Sequence, residues 1–186
     1  YSQPSCNDTT LHFLSKSMHV TKIADIIEYN TFCANSGLLS FPESKKRLER
    51  GSVLFLLYVG ETLVTSGWSA YQELFWIAEN DTVIDMANSK TVVLYDFETV
   101  EAFRGRGYYV DLLKFMVADI AVATEFVIYA KKENKSSQRG IEKAGFIQNG
   151  IYKQDEPKYL EYLKSKGFLY LGHRYLYGGL KYAGNI

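Results

Sequence analysis

Residues 103–110 read FRGRGYYV. Arg104 and Arg106 alternate with Gly105 and Gly107, and Tyr108 and Tyr109 follow. Glycines let backbone N–H groups approach an anion with no side chain in the way. If a helix starts here, its first amides and the positive end of its dipole form a phosphate cradle. The arginines would add charge and forked donors. Two other phosphate motifs do not fit. GxGxxG needs glycine where Val110 stands, and GK[ST] is absent. On this run alone, a plain turn with solvated arginines remains the alternative.

Three carboxylates are candidates for proton acceptance from a nucleophile. Asp96 and Glu98 lie in TVVLYDFETV (91–100), and Glu79 lies in WIAEN. A strand over 91–100 puts Asp96 and Glu98 on one face by its two-residue period, with Tyr95, Phe97 and Thr99 on the other. Each acid has a plainer use, as partner to a lysine or arginine or in solvent. His19 and His173 rank below them, because a lone histidine is usually a hydrogen-bonded partner.

The elements that would position these residues follow from periodicity and punctuation. LHFLSKSM (11–18) reads as a strand. VTKIADIIEYNTFCA (20–34) has helical apolar spacing, with Thr21 or His19 near its cap. PESKKRLER (42–50) is a short helix opened by proline and closed by Gly51. VLFLLYV (53–59), a Gly60-Glu61 turn and 62–71 form a hairpin. Residues 73–80 are a strand or an irregular segment, and 91–100 is a central strand rich in β-branched and aromatic residues. Residues 109–123 form a helix, 125–130 a strand, 135–145 a helix capped by Gly145, and 146–153 a strand. A helix over 155–167 and one or two strands over 168–180 complete an α+β plan with a mixed sheet.

The second half of this plan carries a motif of its own, NKSSQRGIEKAGF (134–146). Together with strand 91–100 and RGRGYY it resembles the Gcn5-related N-acetyltransferase (GNAT) superfamily. There a strand leads into R/Q-x-x-G-x-G/A, here Arg104, Gly107 and Tyr109. The next strand is followed by N-x-x-A/S and a helix ending E-K-x-G-F, here Asn134, Ser137, Glu142, Lys143, Gly145 and Phe146. The resemblance is strong over 91–150 and weak elsewhere. It implies the GNAT fold, a mixed central sheet flanked by helices with a CoA cleft between the two middle strands.

It also implies acetyl-CoA, or another acyl-CoA, as cofactor. The amides of Gly105, Arg106, Gly107, Tyr108 and Tyr109 would hold the pyrophosphate. Thr99, Val100 and Glu101 would pair with the pantetheine arm like an added strand. Asn134 and Ser137 would line the second wall. An amide near Thr99 or Val100 would meet the oxyanion. Glu142, Lys143 and Phe146 read as structural. Two positions depart from the family. Tyr109 replaces a small residue and must point away from the phosphates. Ile141 replaces a tyrosine proposed to protonate the leaving thiolate, a task left to Tyr129, Tyr152 or solvent.

The remaining numbers bound this reading. A chain of 186 residues suits a single domain, 1–186. Lys plus Arg and Asp plus Glu are both 21, so nothing favours nucleic acid as a partner. No apolar run is long enough to cross a bilayer and no signal peptide is visible, which suits a cytoplasmic protein. Cys6 and Cys33 read as free thiols, and no metal pattern appears. Fifteen tyrosines suit a pocket or an interface, and those over 152–182 would form the core rim, an acceptor wall or a homodimer face. The expected function is N-acetyl transfer to a small-molecule amine, such as an amino sugar or amino acid derivative. The alternatives are a silent acyl-CoA-binding module, or an acyltransferase using longer chains or an acyl-carrier protein.

Overall fold

A computed structural model describes residues 17–36, 42–70, 74–77, 82–85, 91–120, 125–131, 133–148, 169–170 and 179–182. Residues 11–16 of the strand expected over 11–18, and the helix expected over 155–167, lie outside the described residues.

The chain opens with β1 (Met18–Ile23), α1 (Ile26–Ser36) and α2 (Pro42–Glu49). The helix expected from residue 20 therefore starts six residues later. Val20, Thr21 and Ile23 are β-branched, and β1 pairs antiparallel with the next strand, Val20 opposite Leu57. Asp25, rather than Thr21 or His19, caps α1. Its Oδ1 accepts from the N–H groups of Ile27 at 2.7 Å and Glu28 at 2.9 Å.

The hairpin is β2 (Val53–Val59) and β3 (Thr62–Ala70), turning at Gly60 with φ 59°. Then come β4 (Leu74–Ile77), β5 (Thr82–Asp85) and β6 (Thr91–Thr99). A short 3-10 turn at Glu101–Phe103 leads to α3 (Tyr108–Asp119). β7 (Glu125–Tyr129), α4 (Lys135–Lys143) and β8 (Phe146–Gln148) follow, with β9 (Leu169–Tyr170) and β10 (Gly179–Tyr182) last. Gly145, at φ 99°, ends α4 as a left-handed residue.

The main sheet has seven strands in the order β1-β2-β3-β6-β7-β10-β8, so β6 is its centre. Among the described residues its pairings are antiparallel except β6 with β7, which is parallel. A second sheet has the order β4-β5-β9. Two apolar layers enclose the main sheet. On one face Leu54, Leu56, Trp68, Val93 and Tyr95 pack with Tyr29 and Cys33 of α1 and Leu48 of α2. On the other, Phe55, Leu57, Val92 and Leu94 pack with Leu112, Leu113 and Met116 of α3 and Ile141 of α4. This mixed α+β sandwich is the fold class expected from the sequence. No helix among the described residues is long and apolar enough to cross a membrane.

Candidate active site

The site forms where the central pair of strands comes apart. The parallel register runs from Thr91↔Glu125 to Leu94↔Ile128 and stops, although β6 continues to Thr99. The edge of β6 beyond Leu94 has therefore left β7.

A bulge shapes the same stretch. Trp68 lies opposite Tyr95 but Ser66 lies opposite Glu98, so β6 fits two residues, Asp96 and Phe97, against Gly67 alone. Asp96 has φ 51°, left-handed for a residue with a side chain, a conformation that asparagine and aspartate tolerate best. A Cβ on Gly67 would run into the Phe97 ring, so glycine is needed there.

The bulge corrects the expected alternation. Tyr95 belongs to the layer of α1 and α2, whereas Phe97 packs in the layer of α3 and α4. Asp96 stays on the α1/α2 side, where its carboxylate meets Arg47 of α2. Glu98 faces that side too, since it pairs with Ser66, and Ser66 pairs with Leu56 of that layer.

The strand's end offers a defined amide. Val100 N–H donates to Val64 C=O at 3.0 Å, so Val100 faces β3 and cannot serve an oxyanion. Backbone groups alternate along an antiparallel pair, so the N–H and C=O of Thr99 point the other way, into the gap. Arg104 Nε donates to that carbonyl at 3.1 Å. Arg104 is thus turned back to brace the strand's end. The Thr99 hydroxyl lies 2.9 Å from Thr65 Oγ1.

The loop then folds on itself. Phe103 N–H donates to Val100 C=O, and Arg104 N–H to Glu101 C=O. Arg106 stacks over the Phe103 ring at 5.5 Å. Gly105 and Gly107 adopt φ 76° and 93°, which favours glycine, and nothing lies within 4 Å of where a Cβ would be. Asp111 N–H donates to Gly107 C=O at 3.1 Å and closes the first turn of α3. The amides of Tyr108, Tyr109 and Val110 precede it and open the helix unpaired within it. An exposed anion fits such an opening, with Arg106 beside it.

The second wall is α4. Asn134 is its N-cap, and its side chain accepts from Ser137 N–H at 3.0 Å. Tyr109 crosses to this wall from α3, away from the glycines. Its ring stands edge-on to Phe97 at 5.1 Å, and its hydroxyl lies 3.3 Å from Ser137 Oγ. A Cβ on Gly140 would sit 2.6 Å from this ring. Burial pushes the Tyr109 phenol up to about 12, with the Ser137 contact pulling the other way. Ile141 is fully buried in the core, and so is Phe146. Glu142 and Lys143 are exposed.

Arg47 is the charged residue that the sequence reading missed. It lies over the rings of Trp68 and Tyr95 at 5.3 and 5.2 Å and reaches Glu43 as well as Asp96. Burial alone lowers its pKa, but hydrogen bonding and attraction from Asp96, aided by Tyr95 and Glu43, hold it above its ordinary value. Glu79, Tyr152 and His173 lie outside the described residues. Among the described residues no group of three or more His, Cys, Asp or Glu is placed to hold a metal.

No family model matches the sequence, and no curated protein does. Solved structures do match. One is an acetyl transferase from Salmonella typhimurium that modifies the N-terminal serine of ribosomal protein L7/L12. It is 17% identical, with 90% of this chain and 93% of that chain covered and a TM-score of 0.54. Another is an IAA acetyltransferase from Bacillus cereus ATCC 14579, 14% identical, covering 89% and 99%, with a TM-score of 0.51. A third is a ribosomal L7/L12 α-N-protein acetyltransferase in complex with coenzyme A, 16% identical, covering 90% and 92%, with a TM-score of 0.52. The chain has the fold of these acetyltransferases, the GNAT fold that residues 91–150 resemble.

Proposed function

We propose that the protein is an acyl-CoA-dependent N-acetyltransferase, using acetyl-CoA and acting on the amine of a small molecule. The observation that carries this is the coincidence of two features at one strand end. β6 leaves β7 after Leu94, and it runs straight into a loop with two left-handed glycines at the start of α3. The first suits a pantetheine arm, and the second suits its pyrophosphate. The coenzyme A complex of a structural neighbour with the same fold supports the choice of ligand.

In this reading the amides of Gly107, Tyr108 and Tyr109 hold the phosphates, with Arg106 adding charge. The Thr99 N–H pairs with the arm, and the acceptor approaches from the α1/α2 face. The base is a carboxylate on that face. Among the described residues Asp96 is engaged by Arg47, and Glu98 takes no part in that network. Glu98 is therefore the better-placed acceptor for the amine proton, directly or through water. The amine then attacks the thioester carbon, the C–N bond forms and the C–S bond breaks.

Neighbours named for a ribosomal protein and for phosphinothricin bracket the acceptor between a protein terminus and a small amine. The buried Ile141 favours a second reading, an acyl-CoA-binding module without turnover.

Calorimetric titration with acetyl-CoA and with CoA tests the first step, and micromolar binding is expected. Thiol release across small amines and N-terminal peptides then separates the readings. Release with small amines supports the proposal. Release with peptides alone moves the acceptor class to protein, and binding without release supports the silent module.

A further inference from the structure

Acyl transfer from a thioester puts negative charge on the departing sulfur, and a donor must meet it. Ile141 cannot, because it is fully buried and carries no polar atom. Tyr109 brings a phenol to the same helix from α3, within the same apolar layer as Ile141. Its ring lies against Phe97, on the part of β6 that has left β7, and its hydroxyl reaches Ser137 on α4. Gly140 makes room for it. Glycine inside a helix costs up to about 1 kcal/mol against alanine, so a glycine there needs a packing reason. The Tyr109 ring supplies one.

We infer that the Tyr109 hydroxyl is the hydrogen-bond donor to the departing sulfur, with Ser137 orienting it. This rests on the acyltransferase reading. Either oxygen of the Tyr109–Ser137 pair can be the donor. With Ser137 donating, the phenol hydrogen is left for a third atom, and under the proposed function the thioester lies in the gap beside Phe97. Magnitudes decide what that hydrogen does. A thiol ordinarily titrates near 8.5, and the Tyr109 phenol is pushed up to about 12. Full transfer from phenol to thiolate is therefore uphill, and the proton stays on Tyr109. The electron pair of the broken C–S bond remains on sulfur, and the thiolate is protonated after departure by solvent, which receives in exchange the proton that the base takes from the amine. The amine's proton leaves through the base. Tyr109 ends the cycle as it began, protonated.

The test compares Tyr109→Phe with the wild-type chain in binding and turnover, using acetyl-CoA and its selenium analogue. The selenolate is the weaker base and needs less help in leaving. Acetyl-CoA binding should stay within a few-fold. Turnover with acetyl-CoA should fall by about 10- to 100-fold, and the loss should shrink clearly with the selenium donor. Unchanged turnover, or an equal loss with both donors, overturns the inference and leaves Tyr109 a packing residue. If Tyr109→Phe does not fold, Ser137→Ala keeps the ring and should give a smaller loss with the same dependence on donor. If the wild-type chain binds no acetyl-CoA, the acyltransferase reading falls and this inference with it. Binding and turnover with no donor dependence removes this inference alone.

Discussion

At the scale of single residues, Gly107 carries the strongest prediction. It combines φ 93° with open space on its Cβ side. Gly107→Ala tests conformation alone, and should cost about 1–2 kcal/mol of stability, measured by denaturant unfolding. Gly107→Glu adds bulk and negative charge where the phosphates are proposed to lie. It should weaken acetyl-CoA binding by about 100-fold or more, while its stability stays close to that of the alanine variant. Calorimetry that finds normal binding in Gly107→Glu would remove the cradle. Among the acids, Glu98→Gln should lower turnover by about 10²-fold or more and leave CoA binding intact. This residue scale was partly legible in the sequence. The alternating glycines stand out in the sequence and both adopt positive φ, and the bulk of Tyr109 called for space that the ring finds against Phe97 and Gly140. Arg47 was not legible. Its partners Trp68, Tyr95 and Asp96 are 21, 48 and 49 positions away. Within PESKKRLER only the acid four residues earlier, Glu43, sets it apart from Lys45 or Lys46, and that spacing marks an ordinary helix pair.

At the scale of elements, the sequence reading failed where pairing overrode local pattern. VTKIAD can be spaced as a helix, but β2 offers an edge, and strand pairing claimed the β-branched residues up to Ile23. The face assignment of β6 failed for a related reason. A two-residue period holds only while each residue opposes one partner, and Asp96 and Phe97 share Gly67. Glycine inside the TLVTSGWSA strand was the available signal for a bulge or close contact. Gly140 is the equivalent signal in α4, and it sets the element-scale prediction. An ordinary helical Gly→Ala change stabilises by up to about 1 kcal/mol. Here the new Cβ would meet the stiff ring of Tyr109, so Gly140→Ala should instead destabilise by about 1–3 kcal/mol. Tyr109→Ala in the same chain should recover much of that loss, because the clash is gone. A double-mutant cycle by urea unfolding measures it, and additive costs would place the two residues out of contact.

At the scale of the whole molecule, two tyrosines among the described residues are pushed furthest toward the neutral form, one in each apolar layer, and burial raises Tyr58 as well. Tyr95 lies in the layer of α1 and α2, and its hydroxyl is 3.0 Å from Ser52 Oγ. Tyr109 lies against α4 in the other layer. Burial is the main cause in both, and each phenol is pushed up from 10.0 to about 12. In the unfolded chain both lose their protons near pH 10. The folded chain therefore holds more protons than the unfolded chain between about 10 and 12, and stability falls as pH rises across that window. Below pH 10 the contribution is complete, and above 12 it is gone. Each tyrosine accounts for roughly 2–3 kcal/mol by this argument. The urea midpoint should thus hold from neutral pH to about 10 and then drop, alongside the rise of phenolate absorbance. Because the two tyrosines sit in different layers, their losses should be separable. Tyr109→Phe should reduce the slope and leave the window in place. A slope unchanged in Tyr109→Phe would mean that this phenol ionises freely in the folded protein, and that the wall between α3 and α4 admits water.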